Sequence, residues 1–198
     1  MRILELFSGF GHVSKYFKSQ GYETLTLDYD KELPSDITQD ILEWDYKQYE
    51  PKHFKIIWAS PDCTSWSIAC HKHRTLKEGL KPKTETAVIG EKLIHKTLEI
   101  IEYFQPDIYI IENPRGRLRH FEPMKKLPHR TTVYYSNYGF NYVKPTDLWS
   151  NVKLWDEKNT TPTTGELENV RGTANRRNNR SQIPSPLIEK IYQHLHQT

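Results

Sequence analysis

Three short runs carry the side chains best able to do chemistry, and each follows an apolar stretch. The first is A-S-P-D-C-T-S-W-S, Ala59–Ser67. A cysteine in a loop just past a strand end can ionise and attack an electrophilic carbon, because only the thiolate is a strong nucleophile. Cys63 is therefore a candidate nucleophile, whereas Cys70, the second cysteine, reads as inert. The second run is I-E-N-P-R-G-R-L-R, Ile111–Arg119, in which Glu112 closes an apolar run. A carboxylate there is costly unless it is near water or paired, which suits a role in a crevice. Glu112 capping the next turn is the plain structural alternative. The third run is L-F-S-G-F-G, Leu6–Gly11, whose glycines let backbone approach a ligand at a helix start. Asp28 follows at the end of the next apolar stretch, where an acid can hold ribose hydroxyls, and Tyr29 beside it can stack on a purine.

The elements that must position these groups alternate in type, the habit of a parallel α/β sheet. Strands are predicted at Arg2 to Leu6, Thr24 to Leu27, Phe54 to Ala59, Asp107 to Ile111 and Thr131 to Tyr135. A helix opens after the glycine turn, runs through Val13, Tyr16 and Phe17, and closes at Gly21 in a left-handed cap. Val88, Ile94, Leu98 and Ile101 share one helical face from about Glu85 to Phe104, and Pro106 ends that helix. A turn is expected at Tyr138-Gly139 and a last helix from about Ser185 to His194. Cys70 to Lys83 is basic, contains Gly79 and Pro82, and reads as a mobile loop; residues 156–182, rich in Asn, Thr, Arg and Gly, read as a polar basic loop. Ligands of open α/β sheets bind beyond the carboxyl ends of the strands, so Cys63, Glu112 and the glycine turn are expected to share one crevice.

Composition excludes several classes. At 198 residues the chain fits a single domain of about 100–200 residues with a real core. Two cysteines argue against a disulfide-built scaffold and for a reducing compartment. No apolar run approaches the roughly 18 residues needed to span a membrane. Mean hydropathy is -0.78, yet 12% aromatic residues argue against wholesale disorder. A formal charge of +3 leans toward polyanionic partners. No metal-ligand spacing stands out.

Taken in order, L-F-S-G-F-G, D-Y-D, S-P-D-C-T-S-W-S and I-E-N-P resemble the ordered motifs of the cytosine-C5 DNA methyltransferase family, over about residues 3–120. The resemblance implies an α/β Rossmann-like fold, a mostly parallel sheet with helices on both faces, and S-adenosylmethionine as methyl donor. It implies that Phe7, Ser8, Gly9 and Gly11 line the donor, with Ser60 near them. Asp28 would hold the ribose, Tyr29 would stack on adenine, and Asp40 in D-I-L-E-W would meet the adenine amino group. Cys63 would add to cytosine C6 and Glu112 would engage N3, with Asn113 supporting the loop. Ser67, Lys72, Arg74, Arg115, Arg117 and Lys144 would face the target base or its strand. DNA would be the partner, with the target cytosine flipped out of the duplex.

The chain also departs from the family. Asp62 stands where a proline normally precedes the nucleophile, and a carboxylate there tends to raise the thiol pKa. The paired arginines after the tyrosine–glycine turn are replaced by Lys144 and Thr146, so Arg115 or Arg117 is a candidate substitute. The R-S-Q-I-P-S-P-L run, Arg180 to Leu187, resembles the last family motif loosely and puts Ser181 and Gln182 near the donor. Residues 156–182 are too few for a target-recognition domain, and Arg171, Arg176, Arg177 and Arg180 are candidates to track phosphates from that position. The whole of 1–198 is thus expected to be one catalytic domain of a compact, phage-type member, a monomer in the cytoplasm of a bacterial or phage-infected cell. Rival readings are the same chemistry on RNA or cytosine nucleotides, and a non-catalytic binding protein with a decayed site. A nicotinamide dehydrogenase is more distant, since it leaves Cys63 and Glu112 without a role.

Overall fold

Short apolar strands alternating with amphipathic helices build a seven-stranded sheet in the computed structural model, which describes residues 1–68, 72–75, 80–160 and 182–197. The strands are β1 (Arg2–Leu6), β2 (Glu23–Asp28), β3 (Ile37–Thr38), β4 (Ile56–Ala59), β5 (Ile108–Pro114), β6 (His129–Tyr134) and β7 (Pro145–Ser150). Their order across the sheet is β3-β2-β1-β4-β5-β7-β6. Pairings from β3 through β5 are parallel, while β7 runs antiparallel to both β5 and β6. The chain moves outward from β1 in one direction and from β4 in the other, so the sheet's switch point falls between β1 and β4.

Helices α1 (His12–Ser19), α2 (Glu85–Phe104), the short α3 (Glu122–Lys125) and α4 (Ser185–Gln197) cover the sheet. Strand residues alternate between two buried clusters, as the period of a strand requires. Leu4, Leu6, Ile57 and Ile111 pack with Ile94, Ile100 and Phe104 of α2 on one face. Ile3, Ile56, Trp58 and Ile110 pack with Val13 and Phe17 of α1 and Leu187, Ile188 and Ile191 of α4 on the other. Both faces are therefore covered, as expected. Among the described residues no helix is long and apolar enough to cross a membrane.

Most expected elements lie where the pattern puts them. Gly21 is left-handed at φ +84°, and so is Gly139 at φ +91° after Tyr138. β7 has no counterpart among the expected strands. Its central Asp147 is fully buried, held by Arg119 at 2.6 Å and by the Thr132 hydroxyl at 2.7 Å. The expectation of a mobile loop over Cys70 to Lys83 needs correction for its described parts. Thr75 N–H donates to Lys81 at 3.1 Å and Lys83 N–H to His73 at 2.8 Å, so the two ends pair as a narrow hairpin base with His73, Arg74 and Leu80 buried.

Candidate active site

The three chemical runs come out at the carboxyl ends of β1, β4 and β5, with Glu112 and Asn113 among the last residues of β5 itself. After β1, Phe7, Gly9 and Gly11 take left-handed conformations at φ +57°, +53° and +66°. A Cβ added at Gly9 or Gly11 would meet nothing within 4 Å, so the turn presents bare backbone. Asp28, at the end of β2, accepts from Gly9 N–H at 2.8 Å and from Asp30 N–H at 3.0 Å, which ties the glycine turn to the neighbouring strand. Ser8 is 6% exposed and its hydroxyl has no partner among the described residues. A buried hydroxyl without a partner is uncommon and suits a group that meets a ligand. Tyr29 is 74% exposed beside Asp28. Asp40 is exposed, and its carboxylate accepts from Leu42 N–H at 2.9 Å. Ser60 continues β4: its N–H donates to Leu6 at 3.2 Å, and its hydroxyl accepts from Trp58 Nε1 at 3.0 Å.

Cys63 is partly buried at the head of a single 3-10 turn, Thr64–Trp66. Asp62 shapes that turn: one carboxylate oxygen accepts from Thr64 N–H at 3.1 Å and the other from the Thr64 hydroxyl at 2.8 Å. Asn113 braces the preceding residue, donating from Nδ2 to the Pro61 carbonyl at 2.8 Å. Two glycines hold the far side. A Cβ on Gly90 of α2 would lie 2.4 Å from Ser65 Oγ, and one on Gly116 would lie 2.5 Å from the Trp66 carbonyl. Burial pushes the Cys63 thiol above its ordinary pKa, the Asp62 and Glu112 carboxylates push the same way, and the Lys144 ammonium opposes them. Glu112 is 6% exposed and accepts from the Tyr135 hydroxyl at 3.1 Å.

Two of the expected nucleic-acid contacts require correction. Arg74 is 1% exposed, stacked 3.5 Å from the Trp66 ring centroid and ion-paired with Glu91 at 2.6 Å. It also donates to the carbonyls of Ser65, Leu80 and Ala87. Arg117 is 4% exposed and donates to the Ser67 and Ile68 carbonyls. Both guanidiniums brace the segment after Cys63 rather than face solvent. Lys72 and Arg115 are exposed. Lys144 lies over the Tyr135 ring at 4.3 Å, and Ser67 is partly buried next to the turn. Cys70, His71, Arg171, Arg176, Arg177, Arg180 and Ser181 lie outside the described residues, as does most of the expected loop at 156–182; Gln182 is partly buried. Tyr135 and Asp147 had no motif or spacing to mark them. A surface cavity of about 320 Å³ lined by Met1, Arg2, Glu23, Lys52, His53 and Lys55 lies at the opposite ends of the strands, away from every motif residue.

Residues 1–129 match the profile of the family described as C-5 cytosine-specific DNA methylase. Over 160 residues the chain is 35% identical to a Frog virus 3 (isolate Goorha) protein named "Probable DNA (cytosine-5)-methyltransferase", covering 77% of this chain and 72% of that one. A solved E. coli structure, described as a "putative DNA modification methyltransferase encoded within prophage", matches with TM-score 0.52 at 14% identity, over 77% of this chain and 47% of that one, a likeness of fold. A Spodoptera frugiperda DNMT2 mutant matches with TM-score 0.47 at 17% identity, over 79% of this chain and 52% of that one. The chain spans about half the length of these two solved structures. On the profile match and the viral relative, the chain belongs to the C-5 cytosine-specific DNA methylase family, enzymes that act at C5 of cytosine in DNA and require a methyl donor.

Proposed function

We propose that this chain methylates C5 of cytosine in duplex DNA, with S-adenosylmethionine as donor and a covalent adduct on Cys63. The observation that carries this reading is the bond from Asn113 to Pro61, which brings the Glu112 strand end and the Cys63 loop together beside the glycine turn. The residues fit the donor: the buried Ser8 hydroxyl, which has no partner among the described residues, the bare Gly9 and Gly11 backbone, the Asp28 carboxylate and the exposed Tyr29 ring offer polar and stacking groups for a nucleoside. Phe7, Ser60 and Asp40 complete the set, with Ser181 from the following segment. When bound, S-adenosylmethionine supplies an electrophilic methyl group on a sulfonium.

Cytosine C5 is a weak nucleophile. The Cys63 thiolate adds to C6, forming a C–S bond and moving the ring's electron pair toward N3, which makes C5 an enamine carbon. Glu112 in its carboxylic acid form donates its proton to N3 as the pair arrives there, a preorganised group placed where charge develops. After C5 is methylated, a base takes the C5 proton, the C5–H electron pair becomes the C5=C6 double bond, and the C6–S pair leaves on sulfur as the Cys63 thiolate. C6 is out of reach inside a duplex, so the target base must be flipped out. Lys72, Arg115, Lys144, Ser67, Arg176 and Arg177 are assigned to the base and its strand, with phosphate contacts setting affinity and not sequence.

Residues 1–198 act as one catalytic domain and a monomer on this reading, with 156–182 in place of a target-recognition domain, so the recognised sequence is short. The viral relative fits action within an infected host cell. Nucleoside mass spectrometry after incubation with labelled donor tests the reading across duplex DNA, single strands, transfer RNA and dCTP. The expected product is 5-methylcytosine, fastest in duplex DNA. Faster methylation of RNA or dCTP, or no product from any substrate, contradicts it.

A further inference from the structure

Tyr135, just beyond β6, is fully buried, and its hydroxyl sits 3.1 Å from Glu112 Oε1. Its ring is held from two sides. Phe140 meets it edge-on with centroids 5.3 Å apart, and Lys144 Nζ lies 4.3 Å from its centroid. The phenol is the donor in this pair, so Oε1 of Glu112 accepts and the other carboxyl oxygen is left over. Burial together with the Glu112 charge raises the Tyr135 pKa well above its ordinary value, which keeps the phenol protonated at working pH.

The geometry points to Tyr135 as a positioning residue for methylation: its hydroxyl ties one oxygen of Glu112, orients the carboxyl, and leaves the second oxygen for the cytosine ring. This deepens the assignment of Glu112 to the target base and rests on it. The titratable groups around the pair are Asp62 and Cys63 from the loop after β4, and Tyr142 and Lys144 from the segment before β7.

Tyr135→Phe keeps the ring and removes the hydroxyl. Carbon-13 NMR of the Glu112 carboxyl, assigned by its loss in Glu112→Gln, reads the bond without any substrate. Loss of the donated hydrogen bond is expected to move that carboxyl resonance at fixed pH. On duplex DNA, kcat is expected to fall about ten-fold with KM for DNA within about two-fold, the signature of a group that acts in the reaction and not in binding. An unchanged resonance, or a shifted resonance with unchanged kcat, overturns the proposal. A wild type that methylates no DNA overturns the assignment on which it rests, whatever the resonance does. If Tyr135→Phe fails to fold, the labelled Tyr135 Cζ signal in Glu112→Gln reports the same bond from the other partner: a shift supports it and no shift overturns it.

Discussion

The side-chain amide of Asn113 donates a 2.8 Å hydrogen bond to the carbonyl of Pro61, joining the end of β5 to the loop that carries Cys63. The two residues are far apart in sequence, so this bond fixes the spacing between nucleophile and carboxylate. Asn113→Asp keeps the shape but cannot donate when ionised. It is expected to cost about 1–3 kcal/mol of stability and to lower kcat about ten-fold or more. Thermal melts and single-turnover rates measured together check this; a loss of stability at unchanged kcat separates the bond from catalysis.

Asp62 does two opposing things: both its oxygens hold Thr64, and its charge raises the Cys63 pKa. Asp62→Asn keeps an acceptor and removes the charge, so the rising limb of the pH–rate profile is expected to move to lower pH. Asp62→Pro loses both bonds to Thr64 and is expected to slow the enzyme at every pH. Equal, unchanged rates for both variants make Asp62 irrelevant to the site.

Glu5 of β1 lies across from the start of α1, where its carboxylate accepts from Ser14 N–H at 2.8 Å and from the Ser14 hydroxyl. It thereby serves helix amides that have no intrahelical partner. Burial outweighs these bonds and raises its pKa from 4.5 to about 7. A raised folded-state pKa means that the associated stability is present below about pH 4.5 and lost as pH rises through about 7. The shift corresponds to at most roughly 3 kcal/mol. Melting temperatures of the wild type are expected to fall across this range more steeply than those of Glu5→Gln. Parallel curves contradict the assignment.

Arg74 is a brace, stacked on Trp66 and bonded to α2 and the hairpin base. Arg74→Lys loses the planar fork and is expected to destabilise the fold by about 3 kcal/mol. In Arg74→Gln, which also removes the charge, the slope of log affinity for DNA against log salt is expected to stay unchanged, whereas Lys72→Ala lowers it by about 1. A reduced slope in Arg74→Gln returns that residue to the nucleic-acid surface.

What the sequence made legible, and what it hid, follows from the range of the interactions. β1, the turn after it and α2 lie where expected because glycine conformations, helix periodicity and Pro106 act locally. β7 was hidden because Asp147 interrupts its apolar pattern, and the partner that allows its burial, Arg119, lies on a different element. Arg74 reads as part of a basic loop and Arg117 as a contact to the target base, since nothing nearby in sequence announces Glu91 or the carbonyls that bury them. In the site, strand-end placement exposed Cys63 and Glu112 as candidates. Tyr135 stayed hidden because its meeting with Glu112 depends on how β6 and β7 fold back onto β5.

The most direct test of the account is a covalent trap. In duplex DNA carrying 5-fluorocytosine, C5 bears a fluorine in place of the proton that must leave, so the C6–S bond cannot be released after methyl transfer. Intact-protein mass spectrometry is expected to show a one-to-one adduct that requires S-adenosylmethionine, maps to the Cys63 peptide, and is absent in Cys63→Ser, while Cys70→Ser still forms it. An adduct on another residue, or 5-methylcytosine made by Cys63→Ser at more than about a tenth of the wild-type rate, contradicts the assignment of Cys63 as the nucleophile.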